Sequence, residues 1–304
     1  MTIRVEGSNW DLAVLRALAE HPPPAAGAAE RHLHVLRLLV DAIGDDVKLF
    51  LHRHGATYVA RWRGPSDPIT AMVSWMAGYF LQLHDFMRVG PPAIADWSEA
   101  VREARALGDS VRLLMGMQLG YALLLPMIVE EATGRPAYPV VHDRNPLVLD
   151  MYRERLKLGR PLVLTTLGAA DIRRWLDSDG IMLTNIDTCY PGTRQTRHLP
   201  FLDGHLTVPT GLLSLALRRS FDVRAVAAPG ADGRVALAAS SRLPGDPDRA
   251  LHGFGACYER WVAEHPEQWM AWGSLAADVP KVREVREVRE EVTGGAGPTP
   301  PVTR

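Results

Sequence analysis

Cysteine is nearly absent: Cys189 and Cys257 are the only two in 304 residues. Two are too few for a disulfide framework or a thiolate metal centre, so both read as reduced, partly buried small side chains. Lysine is as scarce. Of 34 basic residues only Lys48, Lys157 and Lys281 are not arginine, a bias of coding composition that also supplies rigid forks for binding sulfate, phosphate or carboxylate. An excess of charge is missing too. The 34 basic and 35 acidic residues leave a net charge of -1, which gives no general attraction for nucleic acid or an acidic membrane. No apolar run reaches the length of a membrane span. The opening MTIRVEGSNWDLAVLRAL has no basic segment leading into a long apolar one, so neither a secretion signal nor an integral membrane span is expected and the expected compartment is cytoplasmic. The histidines show no zinc spacing and no glycine-rich nucleotide loop is present, so neither a metal nor a cofactor is expected. Gly230 and Gly233 read as a turn.

What is present is a hydrophobic fraction of 47%, ample for a large core. The length matches about two typical domains or one large α/β domain. Residues 11–19 read as a short helix stopped by His21-Pro22-Pro23-Pro24, since consecutive prolines cannot continue it. Residues 30–43 carry leucine and valine at helical spacing. The runs 47–51 and 56–62 read as two short strands. Residues 68–86 form an apolar helix with Met72, Trp75, Met76, Phe80 and Leu83, suited to a core or a lipophilic channel. Residues 98–107 form a charged helix that Ser98 can cap.

From residue 110 the pattern alternates. Strands are predicted at 111–115, 137–141, 162–165, 181–186 and 223–228, with helices at 121–131, 146–158, 209–219 and 249–264 and a return strand at 234–239. Alternation of this kind builds βαβ units. The expected fold class is therefore α/β: a central mixed, mostly parallel sheet flanked by helices, with an N-terminal helical region. The expected divisions are a mainly helical region 1–109, an α/β core 110–278, and a charged helix with a disordered tail at 279–304.

Three stretches carry a family resemblance. They are Arg144-Asn145-Pro146-Leu147-Val148-Leu149-Asp150, then Phe201-Leu202-Asp203-Gly204-His205-Leu206-Thr207-Val208-Pro209-Thr210-Gly211 leading into Leu215-Ala216, then His265-Pro266-Glu267-Gln268-Trp269-Met270-Ala271-Trp272. In this order and spacing they resemble the bacterial lipid A biosynthesis acyltransferases and the actinobacterial relatives that acylate phosphatidylinositol mannosides. Asp187 resembles the acid of that family's strand-end Asp-Gln. The resemblance spans roughly residues 110 to 275 and implies a glycerolipid acyltransferase-like core. It also implies a histidine with an acid five positions later, the histidine taking the acceptor's proton. Here those positions hold Gln118 and Leu123. Neither replaces the pair, because an amide is no base near neutral pH. The basic run after Pro-Glu-Gln-Trp is also missing, with Gly273, Ser274 and Leu275 in its place. The ordinary mechanism is thus not expected, although fold and reaction are separable.

Any pocket belongs at the C-terminal ends of the core strands. Candidate substrate-binding residues there are Gln118, Tyr121, Arg144, Tyr190, Arg194 and Arg197; candidate catalytic residues are His142, Asp143 and Asp187. His142 can move a proton near neutral pH and Arg144 can hold an anion, or the loop is merely solvated with Arg144 paired to Asp143. Residues 193–198 read as an anion seat or a polar loop. His84-Asp85 suggests a dyad, but helix neighbours point apart. Trp269 and Trp272 read as core packing against the last helix.

Three functions fit. One is a tailoring protein acting on a small or carrier-bound biosynthetic intermediate of secondary metabolism, by positioning and arginine-assisted anion stabilisation, in transfer, elimination or cyclisation. Another is a noncatalytic protein partner that stabilises or completes a second pathway enzyme. The third is an acyl-CoA- or acyl-carrier-dependent acyltransferase with a substituted base such as His142.

Overall fold

The computed structural model describes residues 10–25, 27–50, 58–59, 62–64, 66–141, 162–163, 169–187, 193–202, 204–230, 233–271 and 276–277. The expected helix at 146–158 and the expected charged helix and tail beyond 279 lie outside these residues.

The fold is α/β, with a mixed, mostly parallel sheet flanked by helices. Its strands are β1 (Val111–Gly116), β2 (Ala137–Val141), β3 (Leu162–Val163), β4 (Ile181–Asn185), β7 (Asp222–Ala227) and β8 (Ala238–Ala239), in the order β3-β2-β4-β1-β7-β8. All neighbours run parallel except β8, which returns antiparallel along β7. β1 is central, and five of its six residues are buried. A strand covered on both faces reads as a nearly continuous apolar run, as Val111, Leu113, Leu114 and Met115 do around the half-buried Arg112.

The N-terminal region comprises α1 (Trp10–Glu20), α2 (Ala28–Phe50), α3 (Pro68–Val89) and α4 (Trp97–Arg105). α3 starts cleanly because Asp67 accepts a hydrogen bond from the Thr70 amide at 2.7 Å and Pro68 needs no donor partner. It buries Met72, Met76, Phe80 and Leu83 in the core. That buried face shares one apolar cluster with the sheet residues Leu113, Ile181 and Val223.

Two expectations fail here. Residues 47–50 are the last turn of α2, not a strand, and Tyr58 and Val59 are helical. A short apolar run has no period of its own, so the helix already under way claims it. The Tyr58 hydroxyl donates to the Pro68 carbonyl at 3.0 Å, tying this turn to the start of α3. Ser98 does not cap α4: Asp96 holds the cap position, and Ser98 lies within the first turn.

Among the described residues four helices accompany the sheet: α5 (Leu125–Thr133), α6 (Ala169–Asp177), α7 (Gly211–Arg218) and α8 (Pro247–Glu264). α8 buries Leu251, Phe254, Tyr258 and Trp261, the face its spacing predicts. A second sheet, absent from the sequence expectations, joins β5 (Thr196–Phe201), β6 (Gly204–Pro209) and β9 (Ala276–Ala277) antiparallel.

The N-terminal edge of the main sheet is held by arginine. Arg135 donates to the carbonyls of Asp109 at 2.9 Å, Val111 at 2.8 Å and Asp179 at 2.7 Å. Arg112 donates to the carbonyls of Trp175 at 2.9 Å and Ser178 at 2.6 Å, and lies 4.5 Å over the Phe221 ring. These guanidinium groups close backbone ends far along the strands from the opposite, C-terminal edge.

Candidate functional site

Three adjacent strands, β4, β1 and β7, end together at that C-terminal edge. β1 continues into Met117–Gly120, β4 into Ile186 and Asp187, and β7 into Ala228–Gly230. The exits are laced by backbone hydrogen bonds: Ile186 N–H to Gly116 O at 2.9 Å, and Tyr121 N–H to Ala228 O at 2.7 Å. Gly120 sits at φ 63°, and a Cβ there would lie 2.1 Å from the Ala228 carbonyl oxygen. Only glycine permits both the left-handed backbone and that approach.

A fourth segment, from the Pro-Glu-Gln-Trp stretch, runs along the exit of β1. The Gly120 amide donates to Gln268 O at 3.1 Å, and the Met270 amide donates to Gln118 O at 3.0 Å. The buried Gln268 side chain accepts from the Gly230 amide at 2.9 Å. The two residues therefore fasten the C-terminal segment to β1 and β7 at once. Tyr258, fully buried on α8, adds a further tie: its hydroxyl accepts from the Met117 amide at 2.8 Å and donates to the Val226 carbonyl. Burial holds that phenol well above its ordinary pKa, so it stays a neutral hydroxyl.

Asp187 stands at the centre of these ties and is 1% exposed. Its Oδ2 accepts from the Gln118 amide at 2.7 Å and from the Trp269 indole at 3.1 Å. Its Oδ1 is buried and has no hydrogen-bond partner. Loss of water pushes this carboxyl up to about 6, while the Gln118 and Trp269 donors and its own backbone amide pull against the shift. The group therefore changes charge close to neutral pH, which an ordinary aspartate does not. Of its described neighbours at the strand ends, Asn185 is exposed and Gln118 is partly exposed.

Gln118 contributes to this site through its backbone, with its amide on Asp187 and its carbonyl on Met270. Tyr121 is buried, with its ring 5.4 Å from Tyr79 and 6.4 Å from Trp75 of α3. The Trp75 indole donates to the Gly230 carbonyl at 3.3 Å, so α3 covers the exit of β7. Arg194 is exposed at the entry to β5. Arg197 is exposed on β5 and paired with Asp248 of α8. Neither arginine is hydrogen-bonded or ion-paired to Asp187. His142, Asp143, Arg144 and Tyr190 lie outside the described residues, as do Trp272 and the stretch 144–150.

His84 and Asp85 do meet, against the expectation for helix neighbours. His84 Nδ1 is 3.3 Å from Asp85 Oδ1, and Asp85 is paired with Arg31. This cluster joins α2 to α3 and is not part of the strand-end site. Among the described residues, no group of three or more His, Cys, Asp or Glu is placed to hold a metal ion. No described helix is long and apolar enough to cross a membrane.

Asp187 stands just past a strand end, as its place in the sequence implies, whereas Trp269 donates a hydrogen bond besides packing, and Gln268 and Tyr258 carry ties that the sequence expectations do not include. Gln268 and Trp269 sat in the most specific motif, which was the available signal. Tyr258 carried none beyond its place on the apolar face of α8. No protein-family model matches the chain, and no curated protein matches it.

Proposed function

We propose that this chain is an acyltransferase-like tailoring protein that acts on a small or carrier-bound biosynthetic intermediate by positioning it at the strand-end site around Asp187. The observation that carries the reading is the Asp187 carboxyl itself: buried, held on Oδ2 by Gln118 and Trp269, unpartnered on Oδ1, and ionising near neutrality. Leaving a buried polar atom without a partner costs stability, and such groups concentrate where chemistry or ligand binding requires them. The amide at Gln118 removes the usual base, so the work falls to orientation, exclusion of water and one tuned acid. Of the arginines expected to stabilise an anion, Arg144 lies outside the described residues, Arg194 is exposed, and Arg197 is paired with Asp248 at the surface.

The test is turnover. The purified chain is incubated with acyl-CoA and with a panel of amine- and hydroxyl-bearing small acceptors, and products are followed by mass. A product that forms with the natural chain and falls at least tenfold with Asp187→Asn supports the reading. No product with any acceptor overturns it.

A second reading, a noncatalytic partner subunit, draws on the exposed apolar residues. Among the described residues the large ones, Leu33, Val40, Val59 and Val89, all fall in the N-terminal helical region, and Leu33 and Val40 lie two turns apart on α2. Co-purification of a pathway enzyme that is lost on Leu33→Asp/Val40→Asp, with no turnover by the chain alone, would favour it.

A further inference from the structure

We infer that Oδ1 of Asp187 is the receiving point for a protonated primary amine on the ligand, so that the strand-end site selects amine-bearing substrates. This rests on the ligand-handling role just proposed for the site.

The geometry leaves one oxygen to fill. A carboxylate has room for about four hydrogen bonds across two oxygens. Oδ2 takes two donors, the Gln118 amide and the Trp269 indole, and Oδ1 takes none. Both donors are neutral. Among the described residues no Arg, Lys or His forms an ion pair with Asp187, so its charge is met by the Gln118 amide, the Trp269 indole and its own amide but by no counter-ion, and Oδ1 has no hydrogen-bond partner.

That double deficit decides the ligand chemistry. A hydroxyl would satisfy Oδ1 but leave the buried charge uncompensated. An anionic group would be repelled. An ammonium supplies a donor and the opposite charge together, which is what a desolvated carboxylate needs. At the same strand ends Asn185, beside Gly116, is exposed and Gln118 is partly exposed. Gly116 adds no side chain there, and a Cβ on it would come within 2.6 Å of Asn185 Oδ1.

Trp269 reports on the site from inside, since its indole N–H binds the same carboxylate. In the full chain labelled with 15N-tryptophan, the Trp269 indole resonance is assigned by its loss in Trp269→Phe and followed from pH 4.5 to 8. Saturating ethylammonium is expected to lower its titration midpoint by about one unit or more, equal to a tenfold or greater preference of the cation for the ionised carboxylate. Tetramethylammonium, which has no N–H, ethanol and acetate are expected to leave it in place. An unmoved midpoint with ethylammonium overturns the inference, as does an equal shift with tetramethylammonium. Asp187→Asn is expected to abolish the response; a response that survives it also overturns the assignment. Should that variant not fold, calorimetry of ethylamine binding to the natural chain at pH 7.5 and 5 decides, with about five- to tenfold weaker binding expected at pH 5 and equal binding at the two values overturning the inference. The two proposals fail separately. Turnover with an amine-blind Trp269 resonance removes this inference alone, and an amine-responsive site without turnover removes the catalytic reading alone.

Discussion

The Trp269 indole donates to Oδ2 of Asp187 at 3.1 Å, across a sequence separation of 82 residues. This contact joins the end of β4 to the C-terminal segment, and the Gln118 amide on the same oxygen joins both to β1. One carboxylate oxygen thus gathers three parts of the chain, while its twin gathers none.

Asp187 therefore works against stability at neutral pH. Its carboxyl is raised from 3.8 to about 6 in the folded chain. Between those values the unfolded chain is ionised while the folded one holds its proton. The stability this group contributes is complete below about pH 3.8 and is lost as pH rises through about 6. Asp187→Asn removes the ionisation. The variant is expected to gain about 2–3 kcal/mol relative to the natural chain between pH 4 and pH 7.5. Urea unfolding of both chains at the two pH values measures it. Parallel pH profiles would show that Asp187 ionises as readily folded as unfolded.

Trp269→Phe separates the indole hydrogen bond from the ring. The Trp269 ring packs 5.2 Å from Phe201, edge to face, and phenylalanine keeps most of that contact. The lost bond is to a group that can be charged, so the cost is about 1.5–3 kcal/mol at pH 7.5. It shrinks at pH 4.5, where the carboxyl is protonated. Trp269→Ala also empties a fully buried volume and is expected to cost about 3–5 kcal/mol at both values. Equal costs for Trp269→Phe at the two pH values would deny the indole any part in holding the ionised form.

Much of this fold was open to reading before any coordinates. β1, β2, β4 and β7 are mainly apolar runs between helices with an apolar face, and their limits fall within a residue or two of expectation. β5 was not legible. Thr196, Arg197 and His198 are polar and exposed, and only Leu199 and Phe201 point inward, so nothing local separates that strand from a polar loop. Its identity comes from pairing with β6, where His198 faces Thr207 and Leu199 faces Leu206. The site divides the same way. Asp187 is marked by its position after a strand, but its altered ionisation depends on burial by residues distant in sequence. Such contacts have no period and leave no local trace.

Gly120→Ala is expected to fail as a fold rather than as a site. The residue sits at φ 63°, and the added Cβ would lie 2.1 Å from a backbone oxygen that cannot swing away. The strain and the displaced strand ends together should cost more than about 3 kcal/mol. Thermal unfolding with far-ultraviolet dichroism checks it; a melting temperature within a degree or two of the natural chain would mean that the two exits are not held as tightly as they stand.

Arg197→Ala supplies the opposite case. Arg197 and Asp248 are paired in the open, with side chains 46% and 70% exposed. An exposed pair gains little because water and salt screen it, about 0–1 kcal/mol. The arginine is also committed to α8 rather than to the strand ends. Its removal is therefore expected to leave both stability and any turnover or amine binding at Asp187 within a factor of two. A large loss of ligand affinity with unchanged stability would return Arg197 to the substrate-binding set, because it would show that the guanidinium leaves Asp248 when the ligand arrives.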